Sequence, residues 1–147
     1  MLIYKKLSRV NKVVLWEFFK KSDSLFPIPL SHKQNLESLS DKLLNSGIVI
    51  AAYYDDAIAG VVCGYANDTE NGQAYISVLC VLPEFQGKSI AIQLVEEFIK
   101  ESKAANMGKI FLYTHNTNEK AIKLYQKIGF TPVESDRDGD IKMYYKL

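Results

Sequence analysis

The chain has 147 residues, the length of one compact domain, so we expect a single domain over residues 1–147. Its 48% hydrophobic and 24% charged residues are usual for a folded protein and exclude disordered chains, collagen-like repeats and disulfide scaffolds. The net charge of +1 provides no overall field toward nucleic acid or an anionic membrane, so we expect neither as a partner.

Hydrophobic spacing predicts a strand, two helices and a hairpin in the first half of the chain. Asn11 precedes a run of apolar residues at helical spacing and has a side chain suited to a helix cap. Pro27 and Pro29 remove backbone donors and interrupt the helical pattern. In chain order the predicted elements are a strand at 3–7, a helix at 11–24, a loop at 25–30, a second helix that ends at Gly47, and a hairpin of strands at 48–54 and 57–65.

The second half alternates between strand and helix patterns and closes with a hairpin. A mostly apolar run that ends before Pro83 predicts a strand buried on both faces. The strand before the long helix and the strand after it should be parallel to each other, because a crossover helix joins parallel strands. The predicted elements are a strand at 74–82, a helix at 90–105, a strand at 109–113, a helix at 118–128, and strands at 131–134 and 141–147.

The apolar stretches and the cysteines indicate where the protein is located and whether it binds a metal. The longest nearly apolar stretch, residues 48–54, is far shorter than the ~18 residues of a membrane-spanning helix, and the N-terminus has no long apolar signal core. We therefore expect a cytoplasmic protein. Cys63 and Cys80 show neither Cys-x-x-Cys spacing nor a histidine at metal-ligand distance, so we expect two core thiols and no metal.

The loop before the long helix, residues 82–91 with the sequence LPEFQGKSIA, is the most informative stretch. A loop at a helix start can hold an anion, because the first backbone N–H groups lack partners within the helix and the helix dipole adds positive charge. Gly87-Lys88-Ser89 resembles the end of a nucleotide-binding P-loop, but Leu82 stands where that motif needs its first glycine. The spacing therefore argues against a P-loop triphosphatase and leaves a plain helix cap as the structural alternative.

Two motifs in this order resemble those of the GNAT superfamily, the N-acetyltransferases that use acetyl-coenzyme A. Residues 86–91 are similar to the family's pyrophosphate loop Gln/Arg-x-x-Gly-x-Gly/Ala at Gln86 and Ala91, with Ser89 in place of the usual middle glycine. Residues 118–130, NEKAIKLYQKIGF, match the family's second motif, Asn-x-x-Ala-x-x-Leu-Tyr-x-x-x-Gly-Phe. Residues 81–86 and 143–147 are also similar to the family's strand-to-loop passage and final strand.

The resemblance implies an α/β (α+β) fold, the single-domain GNAT fold. Its sheet would be mixed and mostly antiparallel, with about four helices and a central parallel pair that splays apart. The pantetheine arm of acetyl-CoA would lie in the resulting cleft and bond to the main chain of a strand edge. The cofactor-binding residues that the resemblance implies are Leu79, Val81, Gln86, Gly87, Lys88, Ser89, Ile90, Ala91, Asn118 and Tyr125.

The resemblance also implies direct attack of an amine on the acetyl thioester, without an acyl-enzyme. The backbone N–H of Leu79, at the strand bulge beside the cleft, would hold the thioester carbonyl, and Tyr125 would return a proton to the leaving thiolate. Tyr75 and Ser77 occupy the cleft positions where other members of the family have Glu or His. Neither is a base near neutral pH, so we expect the proton to leave through water held by these two residues.

Two features of the implied site stay open. Glu84 and His115 are reserve candidates for a general base, and a histidine at a strand end is more often an ordinary surface residue. If Ser89 requires a positive φ, its side chain adds strain that glycine would not; if φ is negative, its hydroxyl can bind a phosphate.

The function implied is acetyl transfer from acetyl-CoA to a primary amine of a small molecule or peptide, by a monomer or homodimer. The alternative is a non-catalytic acetyl-CoA-binding regulatory module, which Ser89 and the missing acidic residue on the cleft strand favour. Outside the motifs, an aromatic and proline-rich loop and nearby tyrosines predict an apolar acceptor wall. The substrate-binding residues of this wall are Phe26, Pro27, His32, Tyr53 and Tyr75.

Overall fold

The computed structural model describes residues 1–147, and its elements comprise four α-helices and seven strands. The helices are α1 (Lys12–Ser22), α2 (Leu36–Ser46), α3 (Ile90–Ala104) and α4 (Glu119–Ile128). The strands are β1 (Leu2–Lys6), β2 (Ile48–Tyr54), β3 (Ala57–Asp68), β4 (Gln73–Val81), β5 (Lys109–His115), β6 (Thr131–Val133) and β7 (Asp140–Lys146). No helix is both long enough and apolar enough to cross a bilayer.

Each predicted strand and helix is present, and the differences lie at the ends. α1 stops at Ser22 because a 3-10 turn, Asp23–Leu25, follows it. Asn11 precedes α1, but its side chain does not cap that helix; it accepts a hydrogen bond from Ser8 N–H instead (2.9 Å). β3 runs on to Asp68, where it still pairs with Gln73 of β4.

The strands form one sheet in the order β1-β2-β3-β4-β5-β7-β6. Every neighbouring pair is antiparallel except β4 and β5, which are parallel and joined by α3. This is the predicted mixed, mostly antiparallel sheet with one central parallel pair. The parallel ladder is short, since it joins residues 73–76 of β4 to residues 109–112 of β5 and then stops. Beyond Ile76 the two strands have separated, as the resemblance implied.

Helices cover the two faces of the sheet unequally. α3 and α4 pack on one face, where Phe98, Leu94 and Phe130 are buried against strand residues such as Ile110 and Met143. α1 and α2 cover the other face over β2, β3 and the end of β4, with Leu15, Phe19 and Leu43 in that core. Both cysteines are buried, Cys63 and Cys80 within this second cluster, as predicted.

A bulge in β4 changes the side on which its residues face. The register of β3 and β4 pairs Cys63 with Val78 but Gly64 with Ile76, which leaves Ser77 as the extra residue. Ile76 therefore packs with α3, whereas Val78, two residues later, packs with α1 and α2. The bulge lies at Ser77 and not at Leu79, where the resemblance had put it.

Glycine allows the close approach of the two strands at this bulge. A Cβ on Gly64 would lie 2.0 Å from the carbonyl oxygen of Tyr75, too close for any side chain. The bend that this approach permits turns the end of β4 away from β5, so it opens the gap between the two strands.

Candidate functional site

A cleft of about 570 Å³ begins where β4 and β5 separate. Its walls come from the end of β4, the following loop, the first turn of α3, and α4. Every residue predicted to bind the cofactor lines this cleft except Lys88. Lys88 is exposed outside it, with its ammonium 5.6 Å from the ring centroid of Tyr54.

The exposed edge of β4 gives the cleft one wall of unpaired main-chain groups. Leu82 N–H donates to β3, at Ala59 O (2.9 Å). Hydrogen-bonded pairs recur at every second residue of an antiparallel ladder, so between the bulge and Leu82 the amides of Val78 and Cys80 also face β3. The N–H groups of Leu79 and Val81 therefore point away from β3 into the gap, where β5 offers no partner.

The start of α3 forms the second wall and has no side-chain cap. Ser89 has a φ of +61°, a left-handed conformation in which its hydroxyl makes no hydrogen bond to the helix. The first N–H bonded back to this turn is that of Gln93, to Ser89 O (3.2 Å). The amides of residues 90–92 are therefore free to meet an anion in the cleft. Of the two alternatives for Ser89, the structure shows the strained one.

Gln86 links β4 to α4 across the cleft. Its Nε2 donates to Val81 O (3.2 Å), and its Oε1 accepts from Lys120 Nζ (2.6 Å). Lys120, Lys123 and Lys127 all line the cleft, which sequence reasoning missed. Their spacing in the sequence indicates a shared position, because residues three to four apart lie on one face of a helix. These ammonium groups add positive charge beside the free amides of α3.

Asn118 and Tyr125 line the cleft from the ends of α4. The Asn118 side-chain oxygen accepts from Ala121 N–H (3.3 Å) and so caps the helix, which leaves its NH₂ group available. Tyr125 is 6% exposed, and its ring packs edge-on against Phe130 (5.5 Å between centroids). Burial raises the pKa of Tyr125 above its usual value, so its hydroxyl keeps its proton at neutral pH.

Cys80 also touches the cleft but is a poor nucleophile. Burial raises the pKa of its thiol to about 11, partly offset by Ser22. The reactive thiolate is therefore scarce at neutral pH. Burial raises the pKa of Cys63 as well. No group of three or more His, Cys, Asp or Glu side chains is arranged to hold a metal ion.

A second cavity of about 160 Å³ adjoins the cleft and is lined by residues of both β4 and β5. Tyr75, Ser77 and His115 line it, and Leu79 and Tyr125 line both cavities. Phe26 and Pro27 also line both, so the loop after α1 reaches the junction of the two. The two cavities share further walls at Asn118 and Ala121.

His32, Tyr53 and Glu84 lie outside both cavities. Tyr53 belongs to β2, where it pairs with Ile3 and Ile58 and its ring lies 5.4 Å from the Lys5 ammonium. Sequence reasoning placed Tyr53 near the acceptor because of its aromatic ring, but two strands, β3 and β4, separate β2 from the gap.

The second cavity also contains residues that sequence reasoning did not assign. Tyr113 lines it from β5, Arg137 from the turn between β6 and β7, and Asp140 from the start of β7. Tyr113 OH donates to Asp136 Oδ1 (2.5 Å), which raises the pKa of Tyr113 and lowers that of Asp136. No local motif marks these residues, because only the antiparallel pairing of β5 with β7 brings them together.

The contacts of His115 define its tautomer. Thr117 N–H donates to Nδ1 (3.2 Å), and Thr117 Oγ1 lies 2.7 Å from the same atom. A ring nitrogen that accepts an N–H has no proton of its own, so the neutral ring carries its proton on Nε2. His115 in this state is a donor at Nε2 rather than a base there.

The loop between α1 and α2 is anchored from the end of α1. Asp23 accepts hydrogen bonds from both the backbone N–H (3.0 Å) and the hydroxyl of Ser31. These bonds lower the pKa of the Asp23 carboxyl. The anchor holds the loop that carries Phe26 and Pro27 over the junction of the two cavities.

Comparison with known proteins agrees with this geometry. The family model described as "Acetyltransferase (GNAT) family" matches residues 14–130. The chain is 29% identical over 145 residues to "Probable N-acetyltransferase san" of Drosophila melanogaster, covering 97% of this chain and 67% of the relative. It is 26% identical over 144 residues to "N-alpha-acetyltransferase 50" of Danio rerio, covering 97% and 74%.

Solved structures share the fold. The PaiA N-acetyltransferase of Thermoplasma acidophilum, solved in complex with coenzyme A, superposes with a TM-score of 0.81 at 22% identity, over 100% of this chain and 99% of that one. The match to the family model extends over most of the chain and includes both motifs. The chain therefore belongs to the GNAT family of acetyltransferases and is an acyltransferase.

Proposed function

We propose that this protein transfers the acetyl group of acetyl-CoA to a primary amine of a small molecule or peptide, by direct attack within a ternary complex. The observation that carries the proposal is the unpaired edge of β4, which offers the N–H groups of Leu79 and Val81 beside an uncapped helix start. The name of the Danio rerio relative, an N-alpha-acetyltransferase, favours a peptide α-amine among these acceptors.

The residues that would hold acetyl-CoA fit its chemical groups in order along the cleft. The free amides of residues 90–92, with Gly87 and Ser89 before them, suit a pyrophosphate, and Lys120 and its neighbours on α4 suit further phosphate charge. The β4 edge suits the amides of pantetheine, because those groups can pair with it as a neighbouring strand would. When bound, acetyl-CoA supplies an activated acyl group as a thioester.

Leu79 and Tyr125 act at the junction of the two cavities. The N–H of Leu79 would donate to the carbonyl oxygen as negative charge develops on it. The Tyr125 hydroxyl, which burial keeps protonated, would donate its proton to the departing thiolate, whose reference pKa is about 8.5. Both residues line both cavities, as this role requires.

The amine would lose its proton through water held in the second cavity. Tyr75 and Ser77 line this cavity with hydroxyl groups, and the bond from Thr117 N–H to Nδ1 leaves Nε2 of His115 as a donor. All three are therefore suited to position water rather than to abstract a proton directly. Glu84 lies outside the cavity, so we no longer assign it a part in this step.

We also propose a domain organisation, an oligomeric state and a location for the protein. A single sheet uses strands from Leu2 to Lys146, which supports one acetyltransferase domain over residues 1–147. We propose that it acts as a monomer or homodimer in the cytoplasm. Light scattering coupled to gel filtration measures the first property, and a trimer or larger assembly would contradict it.

Steady-state kinetics test the reaction. The protein is assayed for thiol release from acetyl-CoA with peptides, amino acids and polyamines, each varied against acetyl-CoA. Direct attack predicts intersecting double-reciprocal lines and no acetylated protein by mass spectrometry. Parallel lines with an acetyl-enzyme would contradict the mechanism, and cofactor binding without release on any amine would favour the regulatory alternative.

A further inference from the structure

One part of the sheet has no helix over it. Apart from Asp140 at the start of β7, the residues of β5 and β7 that face away from α3 and α4 are aromatic or basic. The aromatic ones, together with a tyrosine of β4, form what we call the aromatic strip: Tyr75, Phe111, Tyr113 and Tyr144. The rings of Tyr75 and Phe111 stack with centroids 4.8 Å apart, and Phe111 meets Tyr113 and Tyr144 edge-on at 6.1 and 6.5 Å. None of the four belongs to either hydrophobic core.

Three cations lie over the rings of the strip. The Lys142 ammonium is 5.0 Å from the ring centroid of Phe111 and 5.3 Å from that of Tyr144. The Lys109 ammonium is 4.6 Å from the Tyr144 centroid. The Arg137 guanidinium carbon is 3.7 Å from the Tyr113 centroid. None of these cations forms a close ion pair with a carboxylate. The Asp136 carboxylate is near enough to Lys142 and Arg137 to balance part of their charge, and the remainder is available to a ligand.

The strip continues from the second cavity. Tyr75, Tyr113 and Arg137 belong to both, and Asp140 lies at the cavity end of β7. Strand residues advance about 3.3 Å each, so Lys142 lies about 7 Å along β7 from Asp140. If the ammonium group of a peptide acceptor lies beside Asp140, the peptide reaches the positive charge of Lys142 within a few residues.

We propose that the aromatic strip binds the acceptor beyond its amine, and that the acceptor is a peptide with carboxylate side chains at about its third to fifth residues. This inference rests on the proposed acetyl transfer to a primary amine. Unpaired cations held over aromatic rings complement carboxylates, and an extended peptide advances at the same rate as the strands beneath it. The carboxylate would meet Lys142 first and Lys109 further along.

Single-stranded nucleic acid is the competing occupant, since aromatic rings and cations also bind it. Base stacking needs open ring faces. In the strip, Tyr75 and Phe111 stack on each other, and Lys142, Lys109 and Arg137 lie over the remaining rings. The cations therefore occupy the surfaces that nucleobases would need, which favours the acidic peptide.

Three peptides that differ only at residues 3–5 test the proposal. These residues are all Glu, all Gln or all Lys, and kcat/KM is measured by thiol release. We expect the Glu peptide to exceed the Lys peptide by about tenfold, as two or three surface charge pairs would produce. Lys142→Gln should lower the ratio of Glu to Gln peptide about threefold, and Lys142→Arg should restore it. Lys103→Gln, which removes an equal charge from the exposed end of α3, should leave the ratio unchanged.

Each alternative outcome has one meaning. Equal kcat/KM for the three peptides, or an equal loss on Glu and Gln peptides in Lys142→Gln, would overturn the inference and leave acetyl transfer intact. Transfer to small amines but to no peptide would overturn it in the same way. Inhibition by single-stranded oligonucleotide at lower concentration than by the acetylated Glu peptide would assign the strip to nucleic acid instead. No thiol release with any amine would contradict the proposed function itself.

Discussion

We propose that the cleft binds acetyl-CoA and that the second cavity binds the acceptor amine; this cofactor cleft and this acceptor cavity are built from the chain in different ways. Most of the cleft is formed by two nearly continuous segments, the passage from β4 through its loop into α3, and the helix α4; the loop after α1 adds Leu25, Phe26 and Pro27. The acceptor cavity is assembled from the loop after α1, the bulge of β4, the end of β5 and the turn before β7. A local motif can therefore encode the first, whereas only the folded sheet brings the second together.

This difference predicts that the two halves respond separately to substitution. Changes in the cleft should alter the dissociation constant of coenzyme A, and changes in the acceptor cavity should alter the KM of the amine. Tyr125 and Leu79 lie at the junction, so changes there should affect kcat.

The largest effect is expected at the junction, from Tyr125→Phe. Loss of the hydroxyl removes the proton donor to the thiolate, so kcat should fall about 100-fold while coenzyme A binding measured by calorimetry changes little. Tyr145→Phe is the matched control, because Tyr145 also packs against Phe130 (5.2 Å) but lines neither cavity. If Tyr125→Phe keeps its kcat, Tyr125 only packs.

In the cofactor half, Ser89→Gly should raise the free energy of unfolding by about 1 kcal/mol and leave the dissociation constant of coenzyme A nearly unchanged. The left-handed conformation of Ser89 is present without ligand, and it costs about 1 kcal/mol for a side chain and nothing for glycine, so relieving it stabilises the fold rather than the complex. Asn106→Gly is the control, since Asn106 has the same conformation (φ +63°) at the far end of α3. It should stabilise the fold without changing the affinity for coenzyme A. Weaker binding by Ser89→Gly would show that the hydroxyl contacts the cofactor.

In the acceptor half, His115→Gln should lower kcat/KM for the amine only about threefold. The glutamine amide keeps a donor near the position of Nε2, so a water-positioning role survives, whereas loss of a general base would cost about 100-fold or more. His32→Gln is the control, because His32 is exposed and lies outside both cavities. A loss of 100-fold at His115 would identify it as the base.

The smallest effect concerns the loop over the junction. Asp23→Asn weakens the bonds from Ser31 and should raise the KM of the amine about twofold, with coenzyme A binding unchanged. The pKa of Asp23 is lowered, so its contribution is present above the ordinary pKa of the carboxyl and is lost as the pH falls through the lower, folded value. The difference in KM between wild type and Asp23→Asn should therefore persist as the pH falls to the ordinary pKa of the carboxyl, and should disappear only below it. A difference that disappears well above that pKa would contradict this anchor.

The sequence predicted the fold and the cleft because their signals are local. The apolar periods of α3 and β4 and the motif at residues 118–130 lie in short stretches, and the structure places these elements as expected. The bulge at Ser77 could not be predicted, because it depends on the contact between Gly64 and the Tyr75 carbonyl of another strand. Arg137 and Asp140 were missed for the same reason, since strand pairing alone brings them to the acceptor cavity.

Amide hydrogen exchange of β4, resolved by residue with NMR, tests the central claim most directly. Without ligand the N–H groups of Leu79 and Val81 should exchange quickly, while those of Val78 and Cys80, which face β3, exchange slowly. Saturating coenzyme A should slow amide exchange at Leu79 and Val81 by at least tenfold and leave the exchange rates of Val78 and Cys80 unchanged. Equal rates at all four amides, or no change at Leu79 and Val81 in a protein that binds coenzyme A, would contradict the account.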